Sequence, residues 1–177
     1  MVAVMKSPGP PTRAEFHEAI ANRSDRWYAA CLKITRNQDL AEDAVQEALM
    51  SAWDKRRQFQ HTARLETWIH RIAVNAALQL LRKQRPGVFE PLETDVADDS
   101  GQPETAQHER DLDRELQTAF RGLSEIERVC FVLKHLEQWR LKEIAEELDV
   151  KIDTVKQALF RAVKKLRVRM TSLQGEL

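Results

Sequence analysis

LKEIAEELDVKIDTVKQALF, Leu141 to Phe160, reads as two short helices crossing at a tight turn. Ile144, Leu148, Val150, Val155, Ala158 and Leu159 recur at helical spacing and supply apolar contacts between the two. Small Ala145 stands where the backbones approach most closely. A helix-turn-helix needs a tight turn, usually with glycine in the left-handed conformation. Here Asp149 must take that place, and aspartate tolerates it moderately well. On surfaces these apolar residues leave unused, the second helix presents Lys156, Gln157, Phe160, Arg161 and Lys164. Cations for phosphates, an amide for base edges and an exposed ring are groove-reading chemistries.

Working outward, the chain has 177 residues with 42% hydrophobic content, enough for one sizeable core or two small ones. Helix formers dominate, glycine is scarce and no strand alternation competes, so the expected class is all-α. A lead-in, 1–11, precedes a helix opened by a capping box of Thr12 and Glu15. After a break at Arg36 to Gln38, a second box of Asp39 and Glu42 is expected to open a helix burying Ala41, Ala44, Val45, Ala48, Leu49, Ala52 and Trp53. A polar loop, Lys55 to Arg64, leads to a third helix, Glu66 to Lys83, with Ile69, Ile72, Ala73, Ala76 and Leu80 as its buried stripe. These three helices predict one bundle, 12–85. From Pro86 to Thr105, helix breakers and six carboxylates with no basic residue predict a flexible acidic linker, 86–105. Helices near Glu104 to Arg121, Glu125 to Leu136, Leu141 to Leu148 and Asp153 to Met170 then make a second domain, 106–172, before a tail, 173–177.

The first domain offers two contrasting faces. Asp43 and Glu47 lie four apart, so like charges share a face with Gln46 at a small cost to the helix, an arrangement that suits a basic partner. On the third helix Arg71, Asn75, Gln79 and Arg82 are expected to face outward together, beside a loop holding Phe59, His61 and Arg64. Basic groups interleaved with amides and a ring suit an unpaired DNA strand, whose bases stack and hydrogen-bond once out of the duplex. Trp68 is expected to pack in the core.

Formal net charge is zero, 28 basic against 28 acidic residues, which argues against coating nucleic acid by bulk electrostatics. Cys31 and Cys130 sit in apolar helical runs without metal spacing, as expected of buried thiols in a reducing compartment, the cytoplasm. Met1 to Lys6 is too short an apolar stretch for a signal peptide, and no run suits membrane insertion. His17, His61, His70, His108 and His135 show no ligand spacing, and no nucleophile or paired acid is placed to use them. The expectation is a protein that is not an enzyme, with no metal, cofactor or small-molecule substrate.

The strings Asp43-Ala44-Val45-Gln46-Glu47, Thr67 through Asn75, Leu123 through Phe131, Glu143-Ile144-Ala145 and Thr154 through Ala162 occur in an order that closely resembles one family. It is the extracytoplasmic-function (ECF) group of sigma-70 RNA polymerase sigma factors, which keep sigma regions 2 and 4. The resemblance implies a region 2 bundle joined by the acidic linker to a region 4 helix-turn-helix. It implies a role in promoter-specific transcription initiation. Core RNA polymerase would be the partner, through the clamp helices of its largest subunit and the flap of the second. Asp43, Gln46 and Glu47 match the docking positions. Phe59, His61, Arg64, Arg71, Asn75, Gln79 and Arg82 fall in the loop and helix facing a melted −10 element. Lys156, Gln157, Phe160, Arg161 and Lys164 fall on the helix reading the −35 element. An anti-sigma factor would mask these faces. The chain departs from the family's pattern at Arg140 and Lys151, where serine caps are usual, at Asp149, and at Gln79 and Ala158.

The main competing reading is a homodimeric helix-turn-helix repressor or activator. The acidic row at Asp43 and Glu47 and the basic third helix speak against it, since a dimerisation helix would be more apolar outside.

Overall fold

The structure, a computed structural model, describes residues 8–90, 114 and 118–174. Its contacts divide the chain into two units, Met1–Leu80 and Leu81–Leu177. Most of the expected acidic linker, and most of the helix expected before Arg121, lie outside the described residues. Every regular element among the described residues is helical.

In the first unit, α1 (Arg13–Thr35) opens on the expected capping box: the Glu15 amide donates to the Thr12 hydroxyl, and the Thr12 amide donates to the Glu15 carboxylate at 2.6 Å. These bonds, the backbone one foremost, hold the Glu15 carboxyl below its ordinary value. The helix ends at Arg36, left-handed at φ 51°. Asn37 is extended there, and its side chain accepts from the Leu40 amide at 3.0 Å, so α2 (Gln38–Asp54) is capped two residues earlier than expected. The cap is therefore Asn37 and not Asp39; Asp39 falls inside the first turn, where its charge meets the helix dipole.

Ala41, Ala44, Ala48 and Ala52 are buried along α2, a stripe of small side chains that lets α1 and α2 approach closely. Val45 and Leu49, expected to be buried, are half-buried, and Trp53 lies at the edge with its ring T-shaped against Phe16. Helix α3 (Leu65–Gln84) buries Ile69, Ala73, Val74, Ala77, Leu78 and Leu81. This is broader than the expected stripe, and Ile72 and Leu80 are only half-buried. The Cys31 thiol donates to the Ala73 carbonyl at 3.4 Å, a use for a buried cysteine that needs neither disulfide nor metal.

In the second unit, α4 (Glu125–Phe131) starts at a capping box of Ser124 and Glu127 and widens into one π turn, Val132–Leu136. Glu127 is nearly inaccessible, and the Lys165 ammonium donates to both its carboxylate oxygens at 3.0 and 3.2 Å. Helix α5 (Leu141–Leu148) lacks a side-chain oxygen at its cap, Arg140, but the Arg140 amide donates to Glu143 at 2.7 Å, so one half of a capping box survives. Asp149 follows at φ 53°, ψ 47°, in the left-handed region read from the sequence. Helix α6 (Ile152–Gln174) begins before Asp153, because the Val155 amide already bonds the Lys151 carbonyl. Asp153 thus sits in the first turn rather than capping it.

Candidate nucleic-acid interface

Helix α6 is held by its buried face. Val155, Ala158, Ala162 and Leu166 point inward at helical spacing, with Ile144, Ala145 and Leu148 of α5 also buried. What remains outside is Lys156, Gln157, Phe160, Arg161 and Lys164, with the Phe160 ring 69% accessible. The ring stands in water among three cations, open to contact. Lys156 lies 3.7 Å from Asp153, both well exposed, an ion pair worth little in solution. Ala158, one of the departures from the family pattern, is on the packed side, where a small residue fits between α5 and α6.

In the first unit the loop between α2 and α3 is ordered by its own aromatics. Phe59 is half-buried, with ring centroids 4.4 Å from His61 and 5.1 Å from Trp68. Trp68 is half-buried, so it borders this loop instead of entering the core. His61 is held left-handed at φ 55°, and its Nε2 lies 3.1 Å from the Gly9 carbonyl. Beside these rings is a groove of about 320 Å³ lined by Glu15, Glu18, Phe59, His61, Arg64 and Glu66, among others. A second, smaller cavity of about 140 Å³ is lined by Arg23, Arg26, Trp27, Arg64, Glu66, Thr67 and His70.

The α3 row is not uniformly outward. Gln79 is exposed, but Arg71 and Asn75 are half-buried, and the Asn75 Oδ1 is enclosed without a hydrogen-bond partner. Arg82 falls past the division and belongs with the second unit, where its guanidinium lies over the Phe89 ring at 5.7 Å and donates to the Glu147 carbonyl. The structure therefore sets Phe59, His61 and Arg64 together beside one groove and Arg71, Asn75, Gln79 and Arg82 along α3, with the Arg82 side chain engaged by Glu147 and Phe89.

On α2, Asp43, Gln46 and Glu47 are all exposed, opposite the alanine stripe. The row continues to Met50, 70% accessible, which the sequence reading did not single out. Its signal was available: an apolar residue lying off the buried alanine spacing. Arg23 and Arg26 were also missed, since a polar helix face gives no hint that a cavity lies beneath it.

Two family models match the chain in succession, the first ending six residues beyond the division between the two units. The family model described as Sigma-70 region 2 matches residues 20–86, and that described as Sigma-70 region 4 matches residues 113–166. ECF RNA polymerase sigma factor SigW of Bacillus subtilis is 28% identical over 170 residues, covering 89% of this chain and 90% of that one. ECF RNA polymerase sigma factor SigM of Mycobacterium tuberculosis is 33% identical over 145 residues, covering 81% and 68%. Some curated relatives are longer, and the chain spans 53% of their length. Among solved structures, the sigma factor RpoE of Bartonella quintana, in complex with the anti-sigma factor NepR, shares the fold with TM-score 0.57 at 23% identity over 89% of this chain and 97% of that one.

Proposed function

This chain belongs to the ECF RNA polymerase sigma factors, and from that membership we propose that it binds core RNA polymerase and directs promoter-specific initiation. In this reading 12–85 is the region 2 body, 106–172 the region 4 body and 86–105 the acidic tether between them. Region 2 docks on the polymerase clamp helices through Asp43, Gln46 and Glu47. Its aromatic loop, Phe59 with His61 and Arg64, holds a base of the melted −10 element. Arg71, Asn75 and Gln79 flank the strand, with the unpartnered Asn75 Oδ1 able to accept from a base amine on modest rearrangement. Arg82 reaches the −10 strand only if it leaves its hydrogen bond with Glu147.

Region 4 reads the −35 element in duplex form through Lys156, Gln157, Phe160, Arg161 and Lys164. The observation that carries the proposal is this α6 surface: three cations, an amide and a ring, facing outward on the second helix of a helix-turn-helix whose other face is packed. Zero net charge fits a protein that does not grip DNA alone, because the polymerase supplies the remaining contact. No helix among the described residues is long and apolar enough to cross a membrane, and we place the protein in the cytoplasm with the polymerase. It performs no catalysis of its own, requires no cofactor, and is restrained by an anti-sigma factor that covers the same faces. The test is reconstitution: core polymerase given this chain must initiate at defined promoters that core alone ignores.

A further inference from the structure

We propose that the cavity walled by Arg23, Arg26, Arg64 and His70 binds a backbone phosphate of the single DNA strand whose base enters the adjoining groove. This rests on the reading of the Phe59 loop as a base-holding element. The two spaces share Arg64 and Glu66 as a common wall, so a strand with one base in the groove has its backbone beside the cavity. They differ in size: the groove, at about 320 Å³, is the larger and the cavity, at about 140 Å³, the smaller. The groove takes a base, and the cavity is left for a smaller group.

Charge then specifies that group. Arg23 and Arg26 are three apart on one face of α1, and both converge with Arg64 on the same small space. The carboxylate present, Glu66, pairs with Arg64 at 4.0 Å, the outer limit of an ion pair, with Arg64 79% exposed. Among the described residues no carboxylate pairs with Arg23 or Arg26. Three arginines line this space against one carboxylate, a positive balance that suits an anion, and the planar guanidinium fork matches phosphate oxygens. The groove is different: Glu15 and Glu18 line it, which disfavours a phosphate there and leaves acceptors for the amine edge of a base. Base and phosphate are therefore sorted to adjacent spaces by opposite charge.

The test uses holoenzyme made with the double variant Arg23→Ala/Arg26→Ala. Binding is measured on a fork promoter whose −10 region is single-stranded, and on duplex carrying only the −35 element, across a series of salt concentrations. The expected result is about tenfold weaker fork binding, with a salt slope shallower by roughly 0.7 for each phosphate no longer neutralised. Duplex binding and assembly with core should be unchanged, and Arg23→Lys/Arg26→Lys should restore much of the slope. Unchanged fork affinity and slope would overturn the proposal, as would equal weakening on the duplex. A drop in core affinity would give the cavity to an acidic protein segment, also overturning it. Phe59→Ala separates the premise from the proposal. If it weakens fork binding while the arginine variant does not, the phosphate site alone fails; if neither does, the base-holding reading fails as well.

Discussion

Asp149 fixes the angle at which α5 hands over to α6, and it does so from φ 53°, a conformation that costs an ordinary L residue about 1–2 kcal/mol. Its carboxylate also lies at the negative end of the α5 dipole, where a cation is preferred. Glycine removes both costs and adds back about 0.5–1 kcal/mol of chain entropy. Asp149→Gly should therefore stabilise the second unit by about 0.5–1 kcal/mol, read as a higher denaturant midpoint with an unchanged slope; a lower midpoint would mean that the side chain makes an interaction worth more than the strain. Cys130 makes a different kind of prediction. Burial pushes its thiol up to about 12, so at pH 8 only about one molecule in ten thousand carries the reactive thiolate. The folded state holds this proton more tightly than the unfolded chain does, so the thiol's contribution to stability is intact below pH 9 and is lost as pH rises toward 12. Native protein at pH 8 should resist alkylation at Cys130, and unfolded protein should react readily; mass spectrometry after a timed iodoacetamide pulse distinguishes the two. At Glu15 the sign is opposite. Its carboxyl is held low by Thr12, so the capping box helps at neutral pH and its contribution disappears as pH falls through the lowered value.

In the proposed function two elements carry recognition on opposite terms, α2 through an exposed acidic row and α6 through an exposed basic face. Neither face is packed against its own unit, so charge changes there should leave folding within about 0.5 kcal/mol of wild type. Asp43→Arg or Glu47→Arg should weaken association with core polymerase at least tenfold, measured by competition for a labelled reference sigma factor. Lys156→Ala with Arg161→Ala should leave that association intact while reducing holoenzyme binding to duplex −35 DNA, with a shallower salt slope. If the α6 variant loses assembly as strongly as DNA binding, the two faces are misassigned. Much of this was legible in the sequence, because helical periodicity and capping are local. The Thr12 box, the α5 bounds and the left-handed Asp149 were all read from residues a few positions apart. Where two caps lay within three residues, local rules could not choose, and Asn37 displaced Asp39 because the left-handed Arg36 puts the Asn37 side chain in reach of the first free amides. The half-buried state of Asn75, the regrouping of Arg82 and the cavity under Arg23 and Arg26 depend on packing between segments far apart in the chain. No spacing rule carries that information.

At the scale of the whole molecule, the proposed function makes the two helical units parts of one reader whose spacing the polymerase sets. Each unit holds its own core: Trp27, Ile34, Ile69 and Leu78 in the first, and Leu133, Ile144, Val155 and Arg128 with its ion pair to Glu125 in the second. A chain of zero net charge with separately folded acidic and basic faces is suited to assembly on a larger machine more than to independent DNA binding. The −35 face alone should therefore give weak, salt-sensitive DNA affinity, and specificity should emerge only when polymerase presents both units to one promoter. Transcription reconstituted from purified core polymerase, this chain and a pooled promoter library, with transcript starts read by sequencing, tests that directly. The expected result is initiation from a small set of promoters sharing a −35 and a −10 element, absent with core alone and abolished by Glu47→Arg. Initiation no different from that of core alone, under conditions where a reference sigma factor is active, would contradict the assignment.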